Sequence, residues 1–189
     1  MEHLTVNSLA ATARGEAVFN AAVQVLRGLP YLIAIELLFI FLPMLYHGVY
    51  GIFITTDASV NTGHYKLFRN WMYVLQRVTG ILTFIFVTVH LWNFRIASII
   101  NPDLHMTFAL VREHLMVPWV MAFYMAGVLA SVFHFANGIW NFCISWGITI
   151  GPRAQRTCAW ICAVIFLGLG FLGVNSLLAF VGKALILNI

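Results

Sequence analysis

The sequence predicts an all-α membrane protein: a transmembrane helix bundle with four complete spans, preceded by the C-terminal end of a further helix. Composition is the first reason. Of 189 residues, 62% are hydrophobic and only 8% charged, with a mean hydropathy of +0.93. A soluble domain carries about 25% charged residues, so there is too little polar surface to cover a globule. Pattern is the second reason. The apolar residues gather into four long stretches, each exceeding the ~20 residues needed to cross a hydrocarbon core. A barrel would show ~10-residue alternating segments instead. The net charge of +4 comes from 10 Lys/Arg against 6 Asp/Glu. In a membrane protein such an excess belongs to loop topology, not to nucleic-acid binding.

Residues 1–12, "MEHLTVNSLAAT", read as the last turns of a helix. Residues 13–30 follow as an amphipathic segment at the membrane interface, with Val18, Ala22, Val25 and Leu26 at helical spacing. The spans are expected at about 31–56, 71–98, 117–150 and 157–182, all within one transmembrane domain. Between them, "TDASVNTGHYKLFRN", "NPDLHMTFALVREHLMVP" and "GPRAQR" carry the turn and charge signals of loops. Cationic residues divide about evenly between the two sides, and we place the 57–70 and 151–156 loops inside. No charged segment precedes a short apolar stretch, so no cleavable signal peptide is expected. Cys143, Cys158 and Cys162 form no CxxC pair and read as small buried hydrophobes.

Four histidines fall where hydrocarbon should be. His3, His47, His90 and His134 are separated by 44, 43 and 44 residues. Successive helices run antiparallel, so near-equal spacing puts alternate histidines at matching depth. Counting ~1.5 Å per residue from the span ends, His47 and His134 form a deeper layer, and His3 and His90 one nearer the outer face. A single histidine in a span is usually a hydrogen-bonded interhelical residue. A polar group at this depth is costly and needs a partner, and haem is the partner that accounts for all four. Two imidazoles facing across a bundle can ligate one iron from both sides without a CxxCH attachment motif. Two ligands per layer are too few for tetrahedral zinc. Gly48, Gly51, Gly80, Ala136 and Gly138 would let a flat macrocycle approach the backbone, or they serve helix packing alone. Gln76 and Arg77 suit the carboxylates of the inner haem. His64, His105 and His114 read as surface residues.

"LPMLYHGVYGIFI", "RNWMYVLQRVTGILTFIFVTVHLWNFRIA" and "HFANGIWNF" closely resemble the dihaem cytochrome b membrane anchor of bacterial succinate dehydrogenases, the single-chain five-helix type. The resemblance covers essentially the whole chain. It implies two haems b, a proximal one held by His47 and His134 and a distal one by His3 and His90. It further implies a bacterial plasma-membrane location and two partner subunits, a flavoprotein and an iron–sulfur protein. Electrons from succinate would pass through both haems to a quinone, menaquinone by the resemblance. Near the distal haem, Glu36 is the expected quinone-binding and proton-handling group, with Asn7 and Asn93 beside it. A glutamate that family members carry two residues before the fourth histidine is here Val132. Members also have a complete helix before the position matching His3, so ~20 further apolar residues are expected upstream. Two readings from other classes stand beside this one: a histidine-based transporter, which would usually show repeats or broken helices, and an anchor without cofactors.

Overall fold

The computed structural model describes residues 2–57 and 59–186, and in them the chain is helical with no strand. Helix α1 (Glu2–Ser8) ends in a tight turn at Leu9–Ala11 and leads to α2 (Gly15–Arg27). Four long helices follow: α3 (Leu32–Asp57), α4 (Phe68–Ile100), α6 (Pro118–Ser145) and α7 (Gly151–Phe180), each long and apolar enough to cross a membrane. Between α4 and α6 lies the short α5 (Phe108–Leu115), capped by Thr107, whose Oγ1 accepts the Leu110 N–H at 3.3 Å. The bundle thus has a hairpin end, where loops join α3 to α4 and α6 to α7. It also has an amphipathic end, where α2 and α5 lie.

Two limits differ from the sequence expectation. The third span stops at Ser145, and Gly147 turns the chain in the left-handed region at φ 69°. "GPRAQR", expected as a loop, is the first turn and more of α7. Proline is at home in a first helical turn, because its missing N–H has no intrahelical partner there, and Ala154, Gln155 and Arg156 are good helix formers.

The amphipathic end holds much of the hydrophobic core, with Ala10, Ala11, Phe19, Phe94, Phe108, Leu115, Tyr124 and Phe180 all buried. Phe19 is the residue α2 turns inward, edge-on to Phe180 at 5.1 Å and to Phe108 at 6.2 Å between ring centroids. Val18 and Val25, expected on the apolar face of an interfacial helix, point outward from the bundle. An asparagine completes the join: Asn20 Oδ1 accepts the Phe108 N–H at 2.8 Å. Along the bundle, α4 packs on α6 and α6 on α7, while α1 lies along α7. Gly127 of α6 makes the first of these contacts possible, since a Cβ there would fall on the Phe86 ring of α4.

Helix α3 is different. None of its residues is buried. Its helix widens to π geometry over Leu37–Phe41, immediately before Pro43. A proline ring collides with the carbonyl four residues earlier, here Phe39, and a wider turn relieves that clash. A second π segment, Trp92–Ile96, interrupts α4 near the same end. The two are tied together: Arg95 Nε donates to Glu36 Oε2 at 2.8 Å, and its terminal amine makes a second contact with the same oxygen. The two side chains are only 24% and 19% exposed.

Two predictions follow for thermal unfolding of the purified protein. Gly127→Ala should overpack the α4–α6 contact and destabilise by about 1–3 kcal/mol, whereas Gly168→Ala, with nothing within 4 Å of its added carbon, should not. Arg95→Gln should cost about 1–3 kcal/mol by stranding the Glu36 carboxylate, and adding Glu36→Gln should recover most of it.

Candidate cofactor sites

Antiparallel order turns the histidine spacing into geometry. His47 lies ten residues before the end of α3 and His134 eleven before the end of α6, so both sit ~15 Å below the hairpin end. Their rings face each other with centroids 6.1 Å apart and planes at 70°. His90, ten residues before the end of α4, faces His3 of α1 with centroids 5.5 Å apart and planes at 76°. Metal–imidazole bonds of about 2 Å on each side of one ion put two ring centroids roughly 6 Å apart. Both pairs therefore have the separation that one shared iron requires.

The surroundings fit a large planar group. Gly80 stands against His134: a Cβ there would lie 2.9 Å from the imidazole Cε1 and 3.2 Å from Nδ1. Gly48, one residue after His47, leaves room for the Phe84 ring, and Gly51 opens on space. His90 is enclosed by Phe86, Phe94 and Tyr124 at centroid distances of 5.8, 5.3 and 5.8 Å. Its Nδ1 is buried without a hydrogen-bond partner among the described residues.

His134 is held by hydrogen bonds. Its Nδ1 lies 3.0 Å from the Gln76 carbonyl oxygen. The Gln76 side-chain amide lies 3.1 Å from the His134 carbonyl and 3.2 Å from Nδ1. Asn137, buried one turn along α6, donates to Gln76 Oε1 at 2.7 Å and to the Met72 carbonyl at 3.1 Å. Gln76 is thus engaged with a histidine rather than standing open to a carboxylate. Arg77 lays its guanidinium over the Tyr73 ring, 3.3 Å from the centroid, and donates to the Tyr73 carbonyl at 3.2 Å, while its Nε is buried without a partner. It follows directly on Gln76, whose side chain holds His134.

At the amphipathic end the expected polar residues disperse. Glu36 is tied to Arg95. Asn7 donates to the carbonyl of His3 at 2.7 Å, within its own helix. Asn93 reaches His114 Nε2 at 3.3 Å. His114 corrects the surface expectation: it turns into the bundle against Phe94 and Tyr124, at 5.3 and 5.9 Å. His64 and His105 are exposed. The buried Tyr124 belongs to the same cluster, its ring against those of His90, Phe94 and His114. Tyr124 and Asn137 had no signal in the sequence beyond being polar residues inside an apolar span. His114 was hidden because α5 sits in a stretch that reads as a loop.

The chain matches the family model described as succinate dehydrogenase/fumarate reductase transmembrane subunit over residues 55–172. It is 44% identical over 181 residues to the succinate dehydrogenase cytochrome b558 subunit of Bacillus subtilis (strain 168), which covers 96% of this chain and 88% of that relative. No solved structure matches it significantly. With four apolar helices among its described residues, the chain is a multi-pass bacterial plasma-membrane protein and belongs to the family of succinate dehydrogenase/fumarate reductase transmembrane subunits.

Proposed function

We propose that this subunit is the haem-bearing membrane anchor of a succinate dehydrogenase, with His47 and His134 the axial ligands of an inner haem b and His3 and His90 those of an outer one. The observation that carries the reading is the facing of both imidazole pairs, 6.1 and 5.5 Å between centroids. The relative's description as a cytochrome b558 subunit supports the cofactor. Bound there, the two haems supply one-electron carriage between an iron–sulfur partner and a quinone.

The chain's own residues perform the rest. The bond from His134 Nδ1 to a backbone carbonyl leaves Nε2 as the nitrogen able to ligate. Gly80 keeps side-chain carbon away from the His134 imidazole, and Gly48, beside His47, makes room for the Phe84 ring. Arg77 supplies positive charge for a haem carboxylate. The hairpin end bears exposed Lys66, Arg69, Arg153 and Arg156 and is the docking face for the iron–sulfur subunit, which in turn carries the flavoprotein. At the other end menaquinone approaches from the lipid, near Glu36 and Asn93. Glu36 is held by Arg95, so a quinone oxygen received there meets an ion pair and not an isolated carboxylate.

Reduced-minus-oxidised absorption spectra of the purified complex test this. His47→Ala and His134→Ala should each remove the same one of two haem signals, and His90→Ala and His3→Ala the other. Two intact signals in any of these variants would contradict the pairing.

A further inference from the structure

We propose that Asn137 is a positioning residue: acting through Gln76, it sets the tautomer and the ring angle of His134 so that Nε2 is presented to the inner haem iron. The inference rests on the functional reading above and goes beyond it, since Asn137 touches neither the imidazole nor any group that reacts.

The direction of each hydrogen bond can be deduced, because the chain of contacts begins and ends on backbone carbonyls, which only accept. The Met72 carbonyl, 3.1 Å from the Asn137 amide, requires that Asn137 present its NH2 on that side. The second hydrogen of the same NH2 goes to Gln76, 2.7 Å away, so Gln76 must meet it with its oxygen. The Gln76 amide is thereby fixed with its NH2 toward α6, where the His134 carbonyl accepts it at 3.1 Å. Two states then remain for the ring. With the proton on Nδ1, the imidazole donates to the Gln76 carbonyl at 3.0 Å, and both carbonyls are satisfied. With Nδ1 bare, the second hydrogen of the Gln76 NH2 reaches it at 3.2 Å, but the lone pair of Nδ1 then faces the Gln76 carbonyl oxygen at 3.0 Å, acceptor against acceptor. The closer of the two contacts is the one a protonated Nδ1 satisfies, and it selects the first state. That state leaves Nε2 with its lone pair free.

Gly80 completes the device. Its missing side chain is what lets the ring approach a carbonyl within helix α4, since a Cβ would stand 3.2 Å from Nδ1. Asn137 is 7% exposed, so its amide works where hydrogen bonds are strong and their loss is uncompensated.

The test compares two substitutions of opposite kind in the assembled complex. Asn137→Asp keeps the shape but turns the donating NH2 into an acceptor facing two acceptors; Asn137→Ala removes shape and bonds alike. The readouts are the low-field ferric g value and the midpoint potential of each haem, the inner one being the signal lost in His47→Ala. A positioning role predicts a shifted or lost inner signal in both variants, larger in Asp than in Ala, with the outer signal in place. If Asn137 merely fills space, Asp will be the milder change, and that ranking overturns the proposal. Inner signals at the wild-type position in both variants, or equal shifts of both haems, overturn it too. Should Asn137→Asp fail to accumulate, Gln76→Glu takes its place: it keeps an oxygen for Asn137 and removes the donor to the His134 carbonyl. It must shift the inner signal alone, and a wild-type signal there sinks the idea. Wild-type complex without haem signals would instead overturn the underlying functional reading.

Discussion

Inside a hydrocarbon layer, a polar side chain has no water to fall back on, and every such group must be met by another. The arrangement of this bundle follows from how that demand is answered at different depths. Near the hairpin end, His134, Gln76 and Asn137 satisfy one another and the carbonyls of Met72 and Gln76. Near the amphipathic end, Glu36 and Arg95 answer each other across α3 and α4. What these contacts leave open is telling. The buried nitrogens His90 Nδ1 and Arg77 Nε find no partner among the described residues; the first belongs to the outer imidazole pair, and the second follows Gln76, which holds His134.

Close approach of the helices is equally constrained. Gly127 admits the Phe86 ring and Gly80 admits His134, so α4 meets α6 through two openings, one beside each imidazole pair. Membrane helices commonly approach through small residues, but here each glycine faces a ring. Helix α3, by contrast, has no buried residue and meets its neighbours through the Glu36–Arg95 pair, the Gly48–Phe84 contact and the facing of His47 and His134. A span packed so lightly against protein is suited to a site in which much of its partner surface is a flat ring system rather than side chains.

The two π segments belong with this. Widening at Leu37–Phe41 relieves Pro43 and changes the angular phase of the residues before it, among them Glu36. Widening at Trp92–Ile96 does the same for Arg95, while Asn93 in the same segment reaches His114. Regular helices with the same sequence would carry these side chains to other azimuths. Local departures from α geometry therefore decide which polar groups meet at the amphipathic end.

Much of this protein is legible in its residues. Apolar runs set the number of spans, because length against bilayer thickness is a one-dimensional question. The equal spacing of four histidines determined their depths, because rise per residue is nearly constant along any helix. Azimuth and partner choice could not be read that way. That Gln76 would hydrogen-bond His134, that His114 would turn inward, and that Phe19 would face the core all depend on where a neighbouring helix stands. "GPRAQR" joined a helix because Gly147 and Pro152 placed the turn earlier than its charges suggested. Depth is a property of one helix and is written in sequence order. Facing is a property of two, and only their packing decides it.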